Sequence, residues 1–179
     1  MKRGLMMFML VLTSALGCKD EPKVKNEPVS ETAEVEKKGP FFTFNMYGTF
    51  ENNDQISLYY LTPDSEKLTE KNALHQDIKG SKTAQNVNFE LPEKILPTRL
   101  FIKLGNEGNQ TIKFGSIDLG YGDHKINIPD SLFYQFFSPN KSINFNKENF
   151  TIETNKNGNQ DPMFHSRSIL ENKIDMTFF

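Results

Sequence analysis

"FFTFNMYGTFENNDQISLYYLT", Phe41 to Thr62, carries the pattern on which the reading of the fold turns. In its first half, Phe42, Phe44, Met46 and Gly48 recur at every second position. In its second half, Ile56, Leu58 and Tyr60 fall on one face, with Ser57 and Tyr59 on the other. A period of two belongs to strands half-buried against a core, and a helix cannot satisfy it. The intervening "ENND" holds Asn53-Asp54, a turn pair that predicts a hairpin between the two strands.

The same period continues downstream. "PDSEKLTEKN" (Pro63 to Asn72) reads as a polar loop with room for a helical turn, and "ALHQDIKG" as a short strand. "NVNFEL" turns Val87, Phe89 and Leu91 inward until Pro92 stops it. "TRLFIKLG" (Thr98 to Gly105) is dense enough in apolar residues to predict burial on both faces. In "QTIKFGSIDLGYG" the apolar phase runs through Ile112 and Phe114, then slips to Ile117 and Leu119, which predicts a bulge at Gly115. "HKINI" is a short strand, and "SINFN" and "NFTIET" pair around a turn at Asn146 to Asn149.

One segment breaks the pattern. In "PDSLFYQFF", Leu132, Phe133, Phe136 and Phe137 share a helical face, and Asp130 or Ser131 is placed to cap it. "MFHSRSI" and "KIDMTFF" read as terminal strands or coil. About nine strand-like runs separated by turns predict an all-β, two-sheet β-sandwich, jelly-roll-like, with one short helix. A β-barrel is the alternative.

The N-terminus is built differently. Lys2 and Arg3 precede an almost wholly apolar run from Gly4 to Leu16, too short for a membrane span of roughly 20 residues. This is the layout of a secretory signal; a buried core helix is the other reading. Cys18, the sole cysteine, follows directly and has no second thiol to pair with. Ala15-Leu16-Gly17-Cys18 resembles the lipobox of bacterial lipoproteins, although that family usually has leucine where Ala15 stands and a small residue where Leu16 stands. The resemblance implies cleavage before Cys18 and acylation of its sulfur and new amino terminus. Several acyl chains hold a protein on a bilayer stably, at about 0.8 kcal/mol per buried methylene. Lys19-Asp20-Glu21 resembles an export signal that sends lipoproteins to the outer face of the outer membrane in one group of Gram-negative bacteria. That implies surface exposure; a plain charged tether facing the periplasm is the alternative.

Residues 1–17 are therefore expected to be a signal peptide, 18–40 a lipidated cysteine with a tether, and 41–179 one sandwich domain. The tether is rich in Lys, Glu, Pro, Val and Ser and contains no aromatic residue, so it cannot bury enough apolar surface to order itself. From Phe44 to Tyr121, the succession "DQISLYY", "NVNFELPEK", "TRLFIKLGNEGNQ" and "IKFGSIDL" resembles an accessory β-sandwich of bacterial envelope proteins, of the jelly-roll or galactose-binding-like kind. The later Asp161-Pro162 fits the same pattern. This resemblance implies a fold and no particular ligand.

Composition narrows the chemistry. A formal charge of −2, more negative once Lys2 and Arg3 are removed, argues against a nucleic-acid partner. His75, His124 and His165 have no metal-ligand spacing, and the expectation is no metal. No P-loop, G-x-G-x-x-G or G-x-S-x-G occurs, so no cofactor and no enzyme activity are expected. Asp118 and Asp123 flank a turn and read as solvated charges. The remaining candidates are Tyr59 and Tyr60. As adjacent strand residues they point to opposite faces, so one should meet solvent. There, near Asn52, Asn53 and Arg99, it would be placed to stack on a sugar ring; packing beneath the Pro63–Asn72 loop is the competing reading. The expected role is a non-enzymatic, membrane-anchored interaction or carbohydrate-contacting module. The alternative is an assembly lipoprotein that binds another envelope protein through a sheet edge or through Leu132 to Phe137.

Overall fold

The computed structural model describes residues 39–105, 110–155 and 160–179. The expected signal, Cys18, Lys19, Asp20, Glu21 and nearly all of the tether lie outside them, as do residues 106–109 and 156–159.

Strands β1 (Phe42–Phe50) and β2 (Asp54–Leu61) form where the alternation predicts them, with Phe42, Phe44, Met46 and Phe50 buried on one and Ile56, Leu58 and Tyr60 on the other. They are not a hairpin. Glu51 to Asn53 carry the chain across the core from one sheet to the other, so the two apolar faces oppose each other. Hydrogen bonds hold this arch: Ser81 N donates to the Phe50 carbonyl at 2.7 Å, and Gly80 N to Asn53 Oδ1 at 2.8 Å. Gln110, buried beneath, accepts from Asn52 N at 2.9 Å and donates to its carbonyl at 2.8 Å.

The other strands are β3 (Ala73–Ile78), β4 (Gln85–Glu90), β5 (Arg99–Leu104), β6 (Thr111–Tyr121), β7 (His124–Pro129), β8 (Phe137–Pro139), β9 (Ile143–Asn146), β10 (Thr151–Thr154) and β11 (Met163–Ser166). The first sheet runs β4-β1-β6-β10-β9, and the second β3-β2-β5-β11-β8. In the first, β6 shares its far edge, pairing Ser116–Tyr121 with β7 and Thr111–Lys113 with β10. Every pairing is antiparallel. The sheets stay separate, so the fold is a two-sheet β-sandwich and not the alternative barrel.

The β1–β6 register slips at Gly115. Tyr47 faces Ser116 and Gly48 faces Phe114, leaving Gly115 as the extra residue, as the slip in apolar phase predicts. Strand β5 differs from expectation, since only Leu100, Ile102 and Leu104 are fully buried while Phe101 and Lys103 are half-exposed outside. Among the described residues, the outer face of this sheet is half-exposed at Tyr59, Phe101 and His165, while Ser57 and Leu61 on the same face are buried.

Two α-helices among the described residues complete the domain, one more than expected, beside a 3-10 turn at Glu70–Asn72. Helix α1 (Asp130–Phe136) starts after Pro129, which takes the N-cap place expected of Asp130 or Ser131. Its face is narrower than predicted. Phe133 and Phe136 are buried, Leu132 is exposed, and Phe137 has already passed into β8. Leu132 to Phe137 is thus mostly core, with Leu132 as its exposed apolar residue. Phe133 anchors the core between Phe114, Phe137 and Phe164, with ring centroids 4.2, 5.1 and 4.9 Å away. Helix α2 (Ser168–Phe178) replaces the expected terminal strand or coil. Leu170, Ile174 and Phe178 recur every fourth residue and are all buried, a spacing that only a helix turns to one side.

Candidate functional site

The register of the second sheet sets five residues in one row on its outer face. Ala73 faces Tyr59, Tyr59 faces Phe101, Phe101 faces His165, and His165 faces Ser138. Each central member alternates with buried neighbours: Leu58 and Tyr60, Leu100 and Ile102, Phe164 and Ser166. Tyr59, Phe101 and His165 therefore project from a strip of rings on three adjacent strands. At about 4.8 Å per strand the strip spans about 10 Å, the scale of a disaccharide.

Fixed polar groups border this strip. Arg99 Cζ lies 5.4 Å from the centre of the Phe101 ring, and Arg99 Nε pairs with Glu171 Oε1 at 3.0 Å. On the other side, Lys103 Nζ pairs with Asp161 Oδ2 at 2.9 Å. An apolar platform with held donors and acceptors at its margins suits a ligand that has one apolar face and many hydroxyls.

At one end, Tyr59 donates its phenol to Glu70 Oε1 at 3.1 Å, while His75 Nε2 lies 3.0 Å from Glu70 Oε2. A carboxylate only accepts, so Nε2 carries the proton, and Nδ1 accepts from Ser57 Oγ at 2.7 Å. These bonds hold the Glu70 carboxyl below its usual range, the His75 bond contributing most and the Tyr59 bond next. Burial, followed by the Glu70 bond, raises Tyr59. The Ser57–His75–Glu70 chain has the connectivity of a hydrolytic relay, but Ser57 is 3% exposed and its Oγ offers a substrate no approach. What the chain does is orient Tyr59.

The loop before β3 delivers Glu70, and buried Asn72 holds that loop. Its Oδ1 accepts from Thr69 N at 2.7 Å and Thr69 Oγ1 at 3.0 Å; its Nδ2 donates to the carbonyls of Tyr60 at 2.7 Å and Lys67 at 3.2 Å. At the opposite end of the strip, an open cleft of about 550 Å³ lies beside His165, Arg99, Ser138 and Arg167. Partial burial, together with Arg99 and Arg167, holds the His165 imidazole below its usual value.

The predicted residues fare unequally. Tyr59 and Arg99 border the strip. Tyr60, only 6% exposed, points into the core, so of the pair Tyr59 is the one on the outer face. Asn52 and Asn53 lie in the arch before β2, whereas Arg99 pairs with Leu61 at its far end, so they do not gather around one tyrosine. His124 is exposed on β7, away from the strip. Sequence reasoning missed Phe101, His165 and Glu70. Phe101 lies in a strand expected to be buried on both faces and His165 carries no metal-ligand spacing, and only the strand register brings them beside Tyr59. A scan of protein-family models, a search of curated proteins and a search of solved structures each returned no match to this chain.

Proposed function

We propose that this protein is a lipid-anchored, non-enzymatic glycan-contacting module of the bacterial envelope. Cys18 would be acylated, and Lys19-Asp20-Glu21 would direct the domain to the outer face of the outer membrane. The observation that carries the glycan reading is the Tyr59–Phe101–His165 row, a strip of half-exposed rings with polar margins already held in place. A periplasm-facing orientation is the alternative placement.

The anchor is tested in cells. Cys18→Ala moves the protein from the membrane to the soluble fraction and abolishes incorporation of labelled fatty acid; a variant that stays on the membrane and keeps the label contradicts it. Protease added to intact cells degrades a surface-exposed domain and spares a periplasmic one.

A second reading has its own support. Ile169 and Met176 lie seven residues apart on one side of α2 and are 52% and 85% exposed, with Phe179 at 73% just beyond. This exposed apolar stripe favours docking to another envelope protein. Substituting Met176 by Ser weakens such docking and leaves glycan binding intact.

A further inference from the structure

A second cleft, of about 490 Å³, opens where α1, the β9–β10 turn and the start of α2 meet. Tyr134 stacks on Phe145, with ring centroids 5.3 Å apart and planes at 12°. Two cations lie over this one tyrosine: Lys147 Nζ at 4.3 Å and Arg167 Cζ at 5.3 Å from its centroid. Arg167 is further held by donation from Nε to the Phe137 carbonyl at 3.3 Å. Among the described residues, neither cation has a carboxylate within salt-bridge distance. The carboxylate in the cleft wall, Asp130, accepts from Ser131 N at 2.6 Å at the start of α1.

We infer that Lys147 and Arg167 form an oxyanion site, with Tyr134 as its floor, that receives the carboxylate or sulfate of an acidic sugar residue. The stacked ring holds both cations over the cleft before any ligand arrives, which reduces the entropy lost on binding. Arg167 also sits at the N-terminus of α2, where the first turn's backbone N–H groups add partial positive charge. A guanidinium and an ammonium converging on one space match an anion with several equivalent oxygens. Arg167 and Gln135 border both this cleft and the one beside His165. A glycan lying along the ring strip would therefore meet the cation pair as it runs over the sheet edge. The sugar part of this inference rests on the glycan reading; the oxyanion part does not.

The test uses the isotope-labelled full chain in mild detergent, titrated with sodium sulfate, with glucuronate and, at matched ionic strength, with chloride and glucose. A saturable shift of the Gln135 and Tyr134 resonances with sulfate or glucuronate, absent with chloride and glucose, is expected. Lys147→Gln and Arg167→Gln should each weaken it about tenfold or more, and Lys79→Gln, an exposed lysine outside both clefts, should leave it unchanged. Lys147 is exposed, so its variant decides the matter even if Arg167→Gln unfolds. No saturable shift with either anion, or a shift that survives Lys147→Gln in full, overturns the inference. Sulfate stronger than glucuronate points to a sulfate ester, and the reverse to a uronate; both support the site. An anion response without glycan binding removes the strip reading and leaves this one standing.

Discussion

The Tyr59 phenol meets the Glu70 carboxylate at 3.1 Å, and the other oxygen of that carboxylate meets His75, which in turn is bonded to Ser57. One exposed carboxylate thus ties the β2–β3 loop to the ring strip, and its protonation releases the tie. Because Glu70 is held below its usual range, its contribution is present above about pH 4.5 and is lost as pH falls through the lowered value. His165 is also lowered, so its neutral form favours the fold; that contribution is present above about pH 6.5 and fades as pH falls below it. Urea midpoints measured from pH 8 to pH 3 should fall in two stages. His165→Gln should flatten the first and Glu70→Gln the second. A single unchanged acid transition in both variants would rule this out.

Asn72 uses both its amide hydrogens and its carbonyl oxygen, and it is 7% exposed. Asn72→Ala leaves the Tyr60 carbonyl without its donor and frees the loop that carries Glu70. The expected cost is about 2–3 kcal/mol, read as a lower denaturant midpoint. The loop should also become sensitive to protease between Pro63 and Lys71. An unchanged midpoint would show that water replaces Asn72 without penalty.

Phe133 is the ring that joins α1 to both sheets, touching Phe114 of β6 and Phe164 of β11. Phe133→Ala should cost about 3–5 kcal/mol, because the four neighbouring rings cannot all collapse into the gap. Leu132→Ala, on the exposed side of the same helix, should cost little. Equal losses in the two variants would mean that α1 does not dock as described.

Glycines at two tight places should respond differently. A Cβ on Gly80 would sit 2.5 Å from the Glu51 carbonyl oxygen and 2.8 Å from the Asn52 carbonyl carbon, both backbone atoms of the arch. A Cβ on Gly115 would meet the ring of the exposed Tyr47 at 2.8 Å and the Tyr47 carbonyl oxygen at 3.1 Å, so its shortest contact is to a side chain and not to backbone. Gly80→Ala should therefore fall at the upper end of the usual 1–3 kcal/mol overpacking cost and Gly115→Ala near the lower. Thermal unfolding of the two variants gives the order directly.

Much of this fold was legible because an unlayered strand writes its burial as strict alternation, as in Phe42-Phe44-Met46 and Val87-Phe89-Leu91. Even the bulge at Gly115 was visible, since one inserted residue reverses the phase. What alternation does not encode is which strands are neighbours. Asn53-Asp54 looks like a hairpin turn, yet the chain crosses the core there, because a three-residue arch uses the same turn-forming residues. Helix α2 was missed although Leu170, Ile174 and Phe178 were in view; the short apolar ending "MTFF" resembled a strand. The strip suffered most, since Tyr59, Phe101 and His165 are brought together only by the β2-β5-β11 order. Tyr59 alone was recognisable, and its pairing with Tyr60 pointed equally to the wrong face.

Everything proposed for this protein's function turns on glycan contact through the ring strip on the outer face of the second sheet. The measurement that tests it most directly is binding of the sandwich domain, residues 39–179, to a panel of polysaccharides and host glycans, made alongside Tyr59→Ala, Phe101→Ala and Tyr47→Ala. Every core residue from Phe42 to Phe178 lies within that span. Saturable binding to at least one glycan is expected, weakened about tenfold by Tyr59→Ala and by Phe101→Ala, which is about 1.4 kcal/mol each. Tyr47→Ala, on the other sheet, should bind as the parent does. A folded domain that binds no glycan, or one whose binding ignores both strip substitutions, would contradict it and turn attention to the exposed stripe of α2.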